Sequence, residues 1–238
     1  CLKTKEFLSY NKIDVEIVDV VNHPGGRERL HALGVRHIPV LARGSEYVMG
    51  QVIADVAKFV GIRNFSEVKL PPDVLMQKWL TVLSAAQRYM RQFPGERLDQ
   101  RLIDTRDQSI RHMGYHVFRV GDAFLETAVR GVKDWASFSM EMPPATVVSG
   151  DDVAGYGETV KRRLTEWWNA QSDKSCSTEV TTFTGVQPLR DFLERQTWHS
   201  AQHVRQLAAG LEGLGIEPAG RLSAEDLAGL PLPKALWE

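Results

Sequence analysis

Cysteine is scarce: the 238 residues contain two, Cys1 and Cys176. Two thiols do not make a disulfide framework, and the count suits a reducing compartment, so a cytoplasmic protein is expected. No apolar run approaches the roughly 20 residues of a membrane-spanning helix, so no membrane partner is expected. The chain opens Cys-Leu-Lys-Thr-Lys, without the charged flank and apolar core of a secretory signal. Neither sign of charge dominates: 29 Lys and Arg against 30 Asp and Glu leave a formal charge of -1. With no basic stripe either, a nucleic-acid partner is not expected. A glycine-rich phosphate loop, a nucleophile elbow and zinc-finger spacing are missing as well, and no repeat or low-complexity segment stands out.

What the chain does have is histidine in pairs. His199 and His203 stand four apart in a stretch of helical character, and so do His112 and His116. Four residues are one turn plus a little, so each pair leaves one helix face. Two pairs on two helices predict a metal site between helices of a bundle. Neutral imidazole suits a divalent ion, zinc first and nickel or iron as alternatives. Three protein ligands would leave a position open for water or substrate. His112 could be a fourth ligand, a base behind the ligands, or a surface residue. Arg119 and Arg205, near the candidate ligands, could hold a substrate carboxylate or lie on a solvated helix face. Asp104 and Asp122 could orient a ligand histidine. Trp167, Trp168 and Trp198 read as core or pocket wall.

The pattern divides the chain into residues 1–62, a linker over 63–71 and residues 72–238. In the first part Leu2 to Tyr10 reads as a helix. Asp14 to Val20 alternates with period two and reads as a strand. Pro24-Gly25-Gly26 opens a helix from Arg27 to Leu33 that Gly34 ends. Pro39 to Met49 reads as a hairpin about Gly44-Ser45, and Gln51 to Val60 as a closing helix. In the second part long amphipathic helices are predicted over Val74–Phe93, from Leu102 or shortly after to Val129, from an N-cap at Ser149 through Trp168, and over Pro188–Leu211. A short extended segment is expected over Thr178–Thr184, and a final short helix over Ala224–Ala228.

The order helix, strand, helix, hairpin, helix resembles the glutaredoxin and thioredoxin family with its first strand missing. Cys1 would match the second cysteine of its Cys-X-X-Cys motif, at a helix N-terminus that favours thiolate. Ile38-Pro39 would match its cis-proline, whose neighbouring backbone pairs with glutathione. The four long helices with their histidine pairs resemble the DinB-like family, which includes mycothiol-dependent maleylpyruvate isomerase and related thiol transferases. That resemblance implies a four-helix bundle with a crossover connection. His116, His199 and His203 would be its metal ligands and Gln206 its glutamine three residues on. DinB-like bundles often dimerise, so a homodimer is a further expectation.

The fold expected is therefore α+β: a truncated thioredoxin-like domain, then an all-α DinB-like bundle. The function expected is that of a metal-dependent transferase, isomerase or lyase joining glutathione to a small electrophilic substrate. The catalytic group would be metal-bound water or thiolate, with Cys1 as a redox thiol. Metal-dependent hydrolysis of a small amide or ester is an alternative. So is a non-enzymatic redox- or metal-responsive binding protein, with His112 closing the coordination.

Overall fold

The structure, a computed structural model, describes residues 2–20, 22–65, 69–103 and 108–237. Its secondary structure is mixed, with two small sheets and many helices. It divides into two compact units, one drawn from the ranges 1–68 and 233–238 and the other from 69–232.

In the first unit α1 (Leu2–Tyr10) buries Thr4 and Leu8. The Thr4 hydroxyl donates to the Gly50 carbonyl at 2.6 Å, tying α1 to the end of the hairpin. The helix α2 (Gly26–Ala32) starts after Gly25 at φ 76°. It stops at Gly34, whose φ of 70° only glycine adopts freely. Strands β1 (Val40–Arg43) and β2 (Glu46–Met49) pair antiparallel, with Val40 opposite Met49 and Arg43 opposite Glu46. The Ile38-Pro39 bond ahead of β1 is cis, as the resemblance implied. Helix α3 (Ile53–Phe59) packs Ile53, Val56 and Ala57 inward.

The Asp14–Val20 segment departs from its sequence reading. Val15, Val18 and Val20 are half-buried while Glu16 and Ile17 are exposed. Among the described residues the segment forms no strand ladder. Period-two alternation in sequence does not supply a neighbour to bond with. Cys1 lies outside the described residues.

The second unit is built on four long helices. The first, α4 (Pro72–Gln92), takes Pro72 in its first turn, where a missing N–H costs nothing. The next, α5 (Ile110–Arg130), starts later than the sequence suggested; Leu102 and Ile103 are not helical. Ser109 caps it by accepting from the His112 amide at 3.2 Å. A five-residue helix, α6 (Trp135–Ser139), was not anticipated. Ser149 and Asp152 form a reciprocal cap on α7 (Gly150–Ala170). The antiparallel hairpin β3 (Glu179–Thr182) and β4 (Gly185–Pro188) follows. It realises the extended segment and adds strands to a part expected to be all-α. The fourth long helix is α8 (Leu189–Gly213), and α9 (Ala224–Leu227) is a single turn.

Each long helix packs on two others, in the ring order α4, α7, α5, α8. Helices consecutive in the chain, α4 and α5, therefore stand across the bundle from each other. Trp79, Leu83, Met90, Met113, Phe118, Phe124, Leu164 and Phe192 fill the core. Trp167 meets Phe124 edge-on, with ring centroids 4.9 Å apart. Two links hold the linker's end to the bundle: Lys69 to Asp191 at 2.8 Å, and the Leu70 carbonyl to Arg190 at 2.9 Å. No helix among the described residues is long and apolar enough to cross a membrane.

Candidate metal centre

The rotation of α8 about its axis decides where its histidines point. The Trp79 indole N–H donates to the buried Ser200 hydroxyl at 3.0 Å, holding one face of α8 against α4. Successive residues turn by about 100°, so His199 and His203 face α5 instead. There they meet His116, which is 3% exposed; His203 is 8% exposed and His199 half-buried.

The three rings converge. Centroids lie 5.4 Å apart for His116 and His199, 5.0 Å for His116 and His203, and 4.7 Å for His199 and His203. One nitrogen from each falls within 4.8 Å of the others, a grouping that could hold a metal ion. The Nε2 atoms of His116 and His199 are 3.1 Å apart. Two imidazole nitrogens on one tetrahedral zinc are about 3.3 Å apart, given Zn–N bonds of about 2.0–2.1 Å.

Tautomers follow from what holds the far sides of the rings. His116 Nδ1 lies 2.7 Å from the Ser139 carbonyl, which can only accept, so the proton sits on Nδ1. His203 Nδ1 lies 2.8 Å from Gln206 Oε1 and donates likewise. Both rings thus turn a bare Nε2 lone pair toward the centre, the arrangement usual behind metal-ligating histidines. Burial holds the His199 imidazole well below its ordinary pKa, helped by the nearby Arg195 charge, so it too is neutral.

The Ser139 carbonyl belongs to a short strap laid along α5. Arg119 donates to the Phe138 carbonyl at 3.0 Å, His116 pairs with the Ser139 carbonyl, and His112 bonds the Met140 backbone. Three residues spaced three and four apart on α5 are read by three successive peptides. No residue-type signal marks this strap in the sequence, because what it offers is main-chain carbonyl oxygen.

His112 falls outside the nitrogen cluster. It is 7% exposed, burial lowers its pKa despite the bond to Met140, and its Nε2 has no partner. Its place is behind the strap, not on the surface.

Arg119 is drawn into the protein. Its guanidinium bonds the Phe138 carbonyl and Glu141, lies 3.6 Å from Asp122, and sits 3.9 Å over the Phe138 ring. Asp122 takes Arg163 and the Tyr156 hydroxyl and touches no histidine. Burial and the Asp122 charge push the Tyr156 phenol far up, so it stays protonated and donates. Arg205 reaches Gln202 Oε1 at 2.7 Å. Asp104 lies outside the described residues. Sequence reasoning passed over Arg195, one turn before His199 on α8, whose guanidinium lies 4.0 Å over the Trp135 ring.

Among known proteins, residues 1–48 match the family model described as Glutaredoxin. Comparison with the curated proteins and with the solved structures gives no match. The match coincides with α1, α2 and most of the β1–β2 hairpin, so the N-terminal part of this chain is glutaredoxin-like.

Proposed function

We propose that the chain is a metal-dependent enzyme using glutathione, acting as a transferase, isomerase or lyase on a small electrophilic molecule. The observation that carries this is the convergence of three neutral imidazoles, two with their Nδ1 protons anchored and Nε2 turned inward. The resemblance of the second unit to the DinB-like family and the glutaredoxin match of residues 1–48 support it. His116, His199 and His203 would hold the ion, zinc first, with nickel or iron as alternatives given the all-nitrogen donor set. An ion there would favour a bound thiolate or polarise a carbonyl. With His112 outside the cluster, the donor set among the described residues stops at three, which would leave a coordination position for a ligand. The backbone beside Ile38-Pro39, with Cys1, would receive glutathione in the first unit.

The test is metal analysis of the purified chain, joined to turnover of 1-chloro-2,4-dinitrobenzene with and without glutathione. The expected result is about one zinc per chain and glutathione-dependent turnover, both lost in His203→Ala. Protein that stays metal-free in zinc-containing buffer, or unchanged turnover in His203→Ala, would overturn the proposal. His199 is less buried than His116 and His203, which favours a second reading, hydrolysis of a small amide or ester. Zinc-dependent hydrolysis of p-nitrophenyl acetate without glutathione would select it.

A further inference from the structure

One turn before His199, a group of side chains offers hydrogen-bond donors that nothing among the described residues accepts. Arg195 Nε is buried without a partner, and so are Gln196 Nε2 and Trp135 Nε1. These three residues are in contact. The guanidinium lies 4.0 Å over the Trp135 ring, and its Nη1 donates to Gln196 Oε1 at 3.2 Å. Trp198 flanks the guanidinium at 5.9 Å. Gln196 is 0% and Trp135 3% exposed, so solvent does not satisfy them.

No carboxylate answers the Arg195 charge among the described residues. The acids nearest on α8 are engaged elsewhere: Glu194 holds Arg190 at 2.7 Å and Asp191 holds it at 2.9 Å. Burial without a counter-charge lowers the Arg195 pKa to about 9. An unpaired buried donor costs free energy, and several together with a cation are the converse of a negatively charged acceptor. A guanidinium matches a planar carboxylate with two parallel hydrogen bonds.

We propose that Arg195, Gln196 and Trp135 form a carboxylate-binding subsite beside the three histidines, so that the site takes an anionic ligand. This rests on the reading of the histidine cluster as the reactive centre, which it deepens by naming the substrate class. The carboxylate could belong to the electrophile or to glutathione itself.

The test follows tryptophan fluorescence during titration with propionate and, separately, propionamide at constant ionic strength. A third titration uses glutathione against its diethyl ester. All are run on zinc-free and zinc-loaded protein. Propionate is expected to bind and propionamide not; Arg195→Met should weaken propionate about tenfold or more, with Arg195→Lys between. Glutathione binding that Arg195→Met weakens and esterification abolishes places the carboxylate on the thiol. Propionate binding alone places it on the electrophile. Equal binding of acid and amide, equal affinity in Arg195→Met, or no carboxylate binding at all would overturn the subsite. The acid–amide comparison needs no variant, so it stands even where Arg195→Met fails to fold. Failure to take up zinc while propionate still binds would count against the metal reading alone.

Discussion

His203 and Gln206 show how much of a site can rest on one side chain behind a ligand. Gln206 is 2% exposed and fixes the His203 proton on Nδ1. Gln206→Leu would leave that N–H unpaired and the ring free to turn. Zinc affinity, measured by competition with a chromophoric chelator, should fall about 10- to 100-fold while circular dichroism stays native. The counterpart on His116 cannot be removed by substitution, since its acceptor is the Ser139 main chain. Cys176 is a residue of the opposite kind. It is 3% exposed, and burial, with the charge of Asp173, pushes its thiol up. Iodoacetamide at pH 8 should leave the Cys176 peptide unlabelled until denaturant is added, as read by mass spectrometry. Labelling of the native protein at the rate of a free thiol would contradict this.

The histidines were legible because ligand chemistry needs a rare residue type at helical spacing. Which arginine lacks a counter-charge was not legible, because it depends on where Glu141 and Asp122 come to rest. Arg119 and Arg205 sit as near the ligands in sequence as Arg195 does. Only packing reveals that Arg119 meets carboxylates and that Arg195, among the described residues, meets none.

At the level of elements, the ends of helices carry clear sequence marks and short connectors do not. Ser149 begins α7 because its hydroxyl accepts from the Asp152 amide at 3.1 Å while the Asp152 carboxylate accepts from the Ser149 amide at 2.9 Å. Hydrogen bonds from the Ser149 hydroxyl and amide and the Val148 amide hold Asp152 below the ordinary aspartate range. Its support of α7 is therefore complete above that ordinary value and disappears as pH falls through the lowered one. Ser149→Ala should cost about 1 kcal/mol in thermal or urea unfolding at neutral pH. The difference from wild type should shrink in strong acid, and a gap that widened there would refute the capping account. Helix α6 escaped notice for the opposite reason. Five residues are too few to show a period, and what it contributes is carbonyl oxygens. Asp14–Val20 shows the remaining gap: alternation placed Val15 inward but not Ile17, which is exposed, and it named no neighbour.

For the whole molecule, the ring order α4, α7, α5, α8 makes neighbours of α5 and α8 although α6, α7 and a hairpin separate them in the chain. The cluster thus spans two helices that the core must already have brought together. A ligand that binds only the folded state stabilises by mass action, about 2.7 kcal/mol at a hundredfold excess over Kd. For a protein of this length that raises Tm by about 5–11 °C. Zinc should produce such a rise, a strong chelator should reverse it, and His203→Ala should abolish it. A Tm indifferent to zinc in wild type would contradict the arrangement.

The separation of 83 positions between His116 and His199 also means that an unfolded chain can present at most one adjacent pair of imidazoles at a time. Tridentate capture is then a property of correctly threaded molecules alone. A nickel or zinc column eluted with a shallow imidazole gradient would sort such molecules from misassembled ones, without any tag.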